Sequence, residues 1–286
     1  MPHSIPFPAP ADGVLRIAAF SDGDSGGNPA GVVIADRLPD PAEMQRIAAQ
    51  VGYSETAFAA PLGDGWRVRF FAPGSEVPFC GHATIALGAA LALRQGDGVF
   101  ALQLNDAAIS VEGRREGGLL AAALQSPPTR SAPADPALVQ EALGLFGYDI
   151  WDLDYRIPPA LAHGGADHLV LPLVVRRRLA AMKYDLEAGR VLMRRAGLVT
   201  ICLAHAERPD LFHTRNAFAF GGVYEDPATG AATAALAGYL RDLGWPHGGA
   251  IEVIQGEDMG QRSRLRAEIP PAPGSSIRVS GTARML

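Results

Sequence analysis

The sequence predicts an α+β protein of two similar lobes, each made of strands wrapped around one buried central helix. Three observations lead there. First, the stretch from Tyr224 to Leu240 has a fainter copy near residue 80: at an offset of 149, Gly81 falls on Gly230, Ala83 on Ala232, Thr84 on Thr233, Ala86 on Ala235, Leu87 on Leu236 and Leu91 on Leu240. Second, each copy follows an extended, Arg-led, aromatic-bearing segment (Arg69 to Phe71; Arg215 to Phe220) and carries acidic residues just before its glycine. A period of about half the chain is the mark of a duplication. Third, residues 83–93 and 231–240 are small or apolar nearly all round, which is the pattern of a buried helix. Alanine favours helix, whereas Gly88 and Gly238 cost about 1 kcal/mol each and point to close packing against a neighbour.

Composition narrows the function. At 286 residues and 48% apolar, the chain can bury a large core as two lobes of roughly half its length. A net charge of −5 with no basic cluster argues against nucleic acid and anionic membranes as partners, which leaves small molecules. The start, Met-Pro-His-Ser-Ile-Pro-Phe-Pro, has neither a cationic segment nor an apolar run, so no signal peptide is expected. No stretch approaches the roughly 20 apolar residues needed to span a bilayer. Cys80 and Cys202 suggest no disulfide framework, and a reducing cytoplasm is the expected location.

In chain order, Val14 to Phe20 reads as a strand, and Gly-Asn-Pro-Ala-Gly (27–31) as a turn into the strand 32–34. Gly-Asp-Ser-Gly-Gly (23–27) spells a serine-protease nucleophile motif, but only His3 precedes Ser25, so a Gly-rich turn is the better reading. Asp40 to Gln50 has an N-cap, a Pro at the first position and apolar residues at helical spacing, an amphipathic helix that stops at Gly52. Glu55 then sits in Tyr53 to Phe58, which otherwise reads as a half-buried strand. If it points inward, a carboxyl held from water there suits proton transfer near neutral pH; if outward, it is a solvent-face acid. Residues 66–71 form a strand, and 76–80 lead to the first central helix. His82 there either meets a bound anion or is structural. Residues 99–124 read as strands broken at Asn105-Asp106 and between Gly113 and Gly118.

Gln125 to Pro136, with four prolines, is the most linker-like segment and places the lobe boundary: 1–126 and 127–286, with the last strand free to return to the first lobe. The second lobe opens with a helix at 137–146, strands at 152–157 and 168–175, an amphipathic helix at 185–196 and a buried strand at 198–204. His163-Gly-Gly-Ala-Asp-His168 matches no standard metal-ligand spacing and is read as a loop. Asp226-Pro227 either serves chemistry or is an N-cap with Pro at the first helical position. Two strand stretches around Gln255 to Arg262 close the chain.

Five segments together resemble one family. Gly-Asn-Pro-Ala-Gly (27–31), Ser-Glu-Thr-Ala-Phe (54–58), Arg69 to Pro73 with Glu76 to Thr84, Glu-Asp-Pro-Ala-Thr-Gly (225–230) and Gln-Gly-x-x-Met-Gly-x-Arg (255–262) occur in the order and spacing of the PhzF-like (phenazine biosynthesis-like) isomerases. The resemblance implies a diaminopimelate-epimerase-like fold: two lobes, each a curved, mostly antiparallel, barrel-like sheet around a central helix, with the active site between them. It implies a cofactor-independent and metal-independent isomerase, often a homodimer, that moves a proton along a small cyclic carboxylate. Glu55 then stands at the acid/base position, His82 and Asp226 at catalytic helper positions, and Asn28, Gly81, Gly230 and Ala231 at substrate-binding positions.

One position departs: the family box commonly ends in Ser after Thr-Gly, and here Ala231 removes that hydroxyl. A carboxylate related to the phenazine precursor, but different, is therefore expected. The racemases of this fold pair two cysteines, one at each helix start; here Cys80 takes the first place and Thr229 the second, and a hydroxyl has too high a pKa to replace a thiol. The alternatives are a two-base amino-acid epimerase using Cys80 and a non-catalytic binder of small carboxylates.

Overall fold

The computed structural model describes residues 12–116 and 118–286; the N-terminal stretch read above for a signal peptide lies outside them. The chain divides into two compact units, Met1–Ala19 with Pro29–Ala122 and Ala283–Leu286, and Phe20–Asn28 with Ala123–Thr282. In chain order the strands and helices are β1 (Leu15–Ser21), β2 (Asn28–Ile34), α1 (Pro41–Val51), β3 (Thr56–Leu62), β4 (Gly65–Phe71), β5 (Glu76–Val77), α2 (Gly81–Gln95), β6 (Gly98–Gln103), β7 (Ala108–Glu116) and β8 (Leu119–Pro128), with β1, β2 and β8 running from one unit into the other. The chain continues with β9 (Arg130–Pro133), α3 (Pro136–Phe146), β10 (Ala160–His163), β11 (Asp167–Pro172), α4 (Arg176–Ala180), α5 (Leu186–Ala196), β12 (Thr200–Arg208), β13 (Leu211–Ala217), β14 (Glu225–Asp226), α6 (Gly230–Leu243), β15 (Ala250–Gln255), β16 (Ser263–Glu268) and β17 (Ser276–Met285).

The duplication is visible in the pairing pattern. In the first unit β2 and β3 run parallel, β3 and β4 antiparallel, β4 and β5 antiparallel, β4 and β6 parallel, and β6 and β7 antiparallel. The second unit repeats each step with β11, β12, β13, β14, β15 and β16. Registers correspond too: Phe71 faces Glu76 as Ala217 faces Glu225. Two residues before each of these, an arginine clamps the glutamate with two nitrogens: Arg69 Nε and Nη2 lie 2.7 and 2.6 Å from Glu76, and Arg215 Nε and Nη2 lie 2.9 and 2.5 Å from Glu225. These clamps are what the Arg-led segments and the acids before each glycine build, and they hold the short strand that feeds each central helix.

Both central helices are buried as their sequence requires. Every residue from His82 to Ala92 in α2 and from Ala232 to Arg241 in α6 is buried. At Gly88 and Gly238 the wall leaves no room for a side chain: a Cβ on Gly88 would lie 2.6 Å from Val111 Cγ2 on β7, and one on Gly238 would lie 2.5 Å from Thr129 Oγ1. Outer helices cover the sheets. In the first unit α1 sets Met44 and Ala48 against Phe58 and Phe71. In the second, Leu143 and Phe146 of α3 and Leu192 and Met193 of α5 join Leu169, Leu171 and Leu203 in one core. Their caps follow the sequence signals: Asp40, Asp135 and Asp185 accept from Glu43 N, Ala137 N and Ala188 N at 2.9, 2.7 and 2.8 Å. Among the described residues no helix is long and apolar enough to cross a bilayer.

Four local expectations fail for identifiable reasons. Residues 28–31 are not a turn but the first half of β2, because Gly31 already pairs with Thr56 of β3. The Pro-rich stretch 125–136 is not a linker: it holds the end of β8 and all of β9, whose Pro133 faces Ala160 of β10. A proline lacks the N–H donor but still fits where no ladder bond is asked of it. Residues 152–157 form no strand, because the Asp154 carboxylate takes the Arg156 N–H at 3.0 Å and its guanidinium at 2.6 Å and folds the chain on itself. Asp226 is not the N-cap of α6; the helix begins at Gly230 with Thr229 as its N-cap, and Asp226 lies in β14.

His168 on β11 gives the fold a pH dependence. It is fully buried, its Nδ1 is 2.8 Å from Thr200 Oγ1, and its Nε2 has no partner among the described residues. Burial pushes its pKa from 6.5 down to about 4, so the folded chain binds it neutral while the unfolded chain protonates it. Its contribution to stability is complete above about pH 6.5 and is lost as the pH falls towards 4. The expected loss between pH 7 and pH 5 is roughly 2 kcal/mol. Urea unfolding at the two values checks this, with His168→Gln flattening the difference.

Candidate active site

In the first unit, Glu55 stands at the entry to β3, just after α1 ends at Gly52, and its backbone carbonyl accepts from Gly31 N at 3.1 Å. This fixes its position from both sides. Its side chain is 16% exposed, sheltered but reachable, and Oε2 lies 3.4 Å from His82 Nε2. His82 is buried in the first turn of α2. The same Nε2 is 3.3 Å from Ser54 Oγ, and Nδ1 is 3.3 Å from Cys80 Sγ. Donor atoms of Glu55, Cys80 and His82 all lie within 4.8 Å of one another. A carboxyl, an imidazole and a thiol in contact can take up, hold and pass on a proton.

The helix start beside them is open to an anion. Cys80 is the N-cap of α2 but its side chain makes no capping bond, and no acid lies in the first turn. A Cβ on Gly81 would meet no atom within 4 Å, so a ligand can approach the backbone N–H groups there. Such a helix start favours a carboxylate through its free donors and dipole. Thr84 does not compete for them; its hydroxyl donates back to Cys80 O at 2.7 Å.

The second unit builds a different helix start at the matching place. Asp226 accepts on Oδ1 from Asn28 Nδ2 at 2.8 Å and on Oδ2 from Thr229 Oγ1 at 2.5 Å. Asn28 also donates to Ala228 O at 3.2 Å. Gln255, fully buried at the end of β15, donates to Asp226 O at 2.6 Å and to Thr229 Oγ1 at 2.9 Å, and accepts from Thr229 N at 3.1 Å. This network ties the expected residues Asn28 and Asp226 together and fixes the loop that delivers Gly230 and the partly exposed Ala231. Thr229, the counterpart of Cys80, has its hydroxyl committed within that network.

The structure thus brings Glu55 and His82 together with Cys80, and Asn28 together with Asp226. Sequence reading missed Ser54 as a neighbour of His82 and Gln255 as the organiser of the second start. The only sequence signal for either was its place in a family box. Cys202, by contrast, is fully buried and burial pushes its thiol up to about 12, which leaves Cys80 as the thiol available for chemistry.

Comparison with known proteins addresses family and fold. The family model described as "Phenazine biosynthesis-like protein" matches residues 17–286. The trans-2,3-dihydro-3-hydroxyanthranilate isomerase of Pseudomonas aeruginosa is 33% identical, with 93% of this chain and 94% of that protein covered. Among solved structures, the phenazine biosynthesis protein, PhzF family, of Bacillus anthracis superposes with a TM-score of 0.84 at 24% identity, covering 96% of both chains. A hydroxyproline epimerase of Agrobacterium vitis superposes at 0.63 and 13% identity over 96% of this chain and 88% of that one. The architecture is the diaminopimelate-epimerase-like fold.

Proposed function

The chain belongs to the phenazine biosynthesis-like family and is an isomerase or epimerase by class; on that premise we propose that it moves a proton on a small cyclic carboxylate without a cofactor, with Glu55 as the acid/base. The observation that carries the reading is the contact of Glu55 with His82 beside the open start of α2. Glu55 takes a proton from a carbon next to a conjugated or carboxylate-activated centre and returns it elsewhere on the same molecule. His82 supports the carboxyl and relays the proton to or from it. Negative charge that develops is met by the helix-start N–H groups at Gly81, fixed before the reaction begins. In the second unit, Asn28, Asp226, Gly230 and Ala231 are assigned to substrate handling, Asp226 as the helper to catalysis.

The named substrate of the Pseudomonas relative is an amino-bearing cyclic carboxylate. With Ala231 in place of a hydroxyl-bearing residue, we assign this chain a related acid whose ring lacks the group that hydroxyl would contact. The same reading takes the protein as a cytoplasmic homodimer acting on small molecules, not on nucleic acid or membranes.

Incubating the protein in heavy water with cyclic and amino-acid carboxylates, and following loss of substrate C–H signals by NMR, tests the assignment. At least one acid is expected to exchange and to give a positional isomer. Carboxylates that bind and never exchange would make the protein a binder. The two-base epimerase reading draws on the 3.3 Å contact of Cys80 Sγ with His82 Nδ1. It loses support from Thr229, whose hydroxyl donates to Asp226. Alkylation of Cys80 that stops turnover while Glu55→Gln does not would favour it.

A further inference from the structure

We propose that Glu55, Cys80 and His82 form a binding site for a zinc-class divalent cation, and that the cation, by occupying the proton-handling cluster, switches the isomerase off. The inhibitory part rests on the role given to Glu55 above; the binding part does not.

The donor set comes first. A thiol, an imidazole and a carboxylate suit borderline-soft ions such as zinc and cobalt, whereas calcium and magnesium call for all-oxygen shells. Spacing comes second. Tetrahedral zinc with bonds of about 2.0 to 2.3 Å sets its ligand atoms about 3.3 to 3.6 Å apart. His82 Nε2 is 3.4 Å from Glu55 Oε2 and 4.0 Å from Cys80 Sγ. The first separation already fits; the thiol, which rests nearer the ring's other nitrogen, Nδ1, at 3.3 Å, reaches an ion on Nε2 through a change of its χ1 rotamer. Three protein ligands leave a fourth position for water or a substrate oxygen, and Ser54 Oγ, 3.3 Å from His82 Nε2, stands ready to hydrogen-bond a water there.

Burial comes third. Cys80 and His82 are 8% and 7% exposed, and the Glu55 side chain is 16% exposed, so the donors are fixed by the fold yet open to a small ion on the Glu55 side. One effect opposes binding: the start of α2 carries a partial positive charge worth about 0.3 to 1 kcal/mol against a cation. Two anionic ligands outweigh it once the thiol is metallated. Binding forms the metal–sulfur bond and releases the thiol proton to solvent, with no change of oxidation state.

Cobalt is the probe, because a thiolate ligand gives it a charge-transfer absorption that oxygen and nitrogen ligands do not. Titration of the full chain with cobalt alone is expected to raise that band to saturation at one ion per chain, and zinc is expected to abolish it by displacement. Cys202→Ala should keep the band; Cys80→Ser and, as a second variant, Cys80→Ala should lose it. Glu55→Gln and His82→Gln should keep the band but bind cobalt roughly tenfold or more weakly, since even groups that only support a ligand are worth that much. Absence of the band, or its survival in both Cys80 variants, would overturn the site. Zinc should stop deuterium exchange into substrate and a chelator restore it. Cobalt bound with its thiolate band while exchange runs unchanged would leave the site standing and overturn its inhibitory role, together with the role of Glu55.

Discussion

Replacing Glu55 by Gln is expected to slow proton exchange between substrate and solvent by about 10²- to 10⁴-fold, a rise of about 3 to 5 kcal/mol in the barrier. The amide keeps the volume of the side chain and can still face His82, so packing at the entry to β3 is undisturbed. What it lacks is a carboxylate oxygen that can accept the substrate's proton. Thermal unfolding should therefore be shifted by no more than a surface change would shift it, and carboxylate binding at the start of α2 should survive. Exchange rates measured by NMR together with a melting curve separate the two effects. An undiminished rate in the folded variant would remove Glu55 from the mechanism.

Arg215→Met is expected to destabilise the protein by about 3 to 5 kcal/mol in urea unfolding, because it strands a buried carboxylate. The Arg215 and Glu225 side chains are only 8% and 3% exposed, and Arg215 also donates to Ala180 O at 2.8 Å. Its counterpart Arg69 sits with Glu76 at 19% and 27% exposure, so Arg69→Met should cost clearly less. The Arg69 guanidinium holds the Glu76 carboxyl below its usual range. Adding Glu225→Gln to Arg215→Met should recover much of the loss, since the penalty lies in the unpaired charge more than in the missing contact. Equal losses for the two arginines would mean that burial does not set the energy of these clamps.

Much of this architecture is written in local pattern. Residues 83–93 and 231–240 carry no polar stripe, so they had to be buried helices, and at Gly88 and Gly238 the wall does leave no room for a side chain. The duplication that aligns Gly81 with Gly230 extends to strand order, register and the two arginine clamps, the offset being 149 from Glu76 to Glu225 and 146 from Arg69 to Arg215. Where several physical solutions exist for one pattern, the sequence alone misleads. Four prolines in 125–136 suggest a linker until β10 is there for β9 to pair with. Asp226-Pro227 has the form of a helix cap, but Asn28 and Thr229 claim the carboxylate instead. The contact of Glu55 with His82 joins the entry of a strand to the start of a helix across a stretch with its own hairpin, and no periodicity encodes such a distance. Family resemblance pointed to both residues; only the folded chain shows their 3.4 Å approach.

The central claim is that one acid/base relocates a proton within a single molecule. Its most direct test is the position of deuterium after one turnover in heavy water, read by NMR of the isolated product. The account predicts the double bond shifted and the new C–H at a carbon other than the one that lost its hydrogen, carrying deuterium in the fraction of turnovers in which the Glu55 carboxyl exchanges with solvent before it delivers the proton. Deuterium found only at the original carbon, with its configuration inverted and the double bonds unmoved, would contradict it.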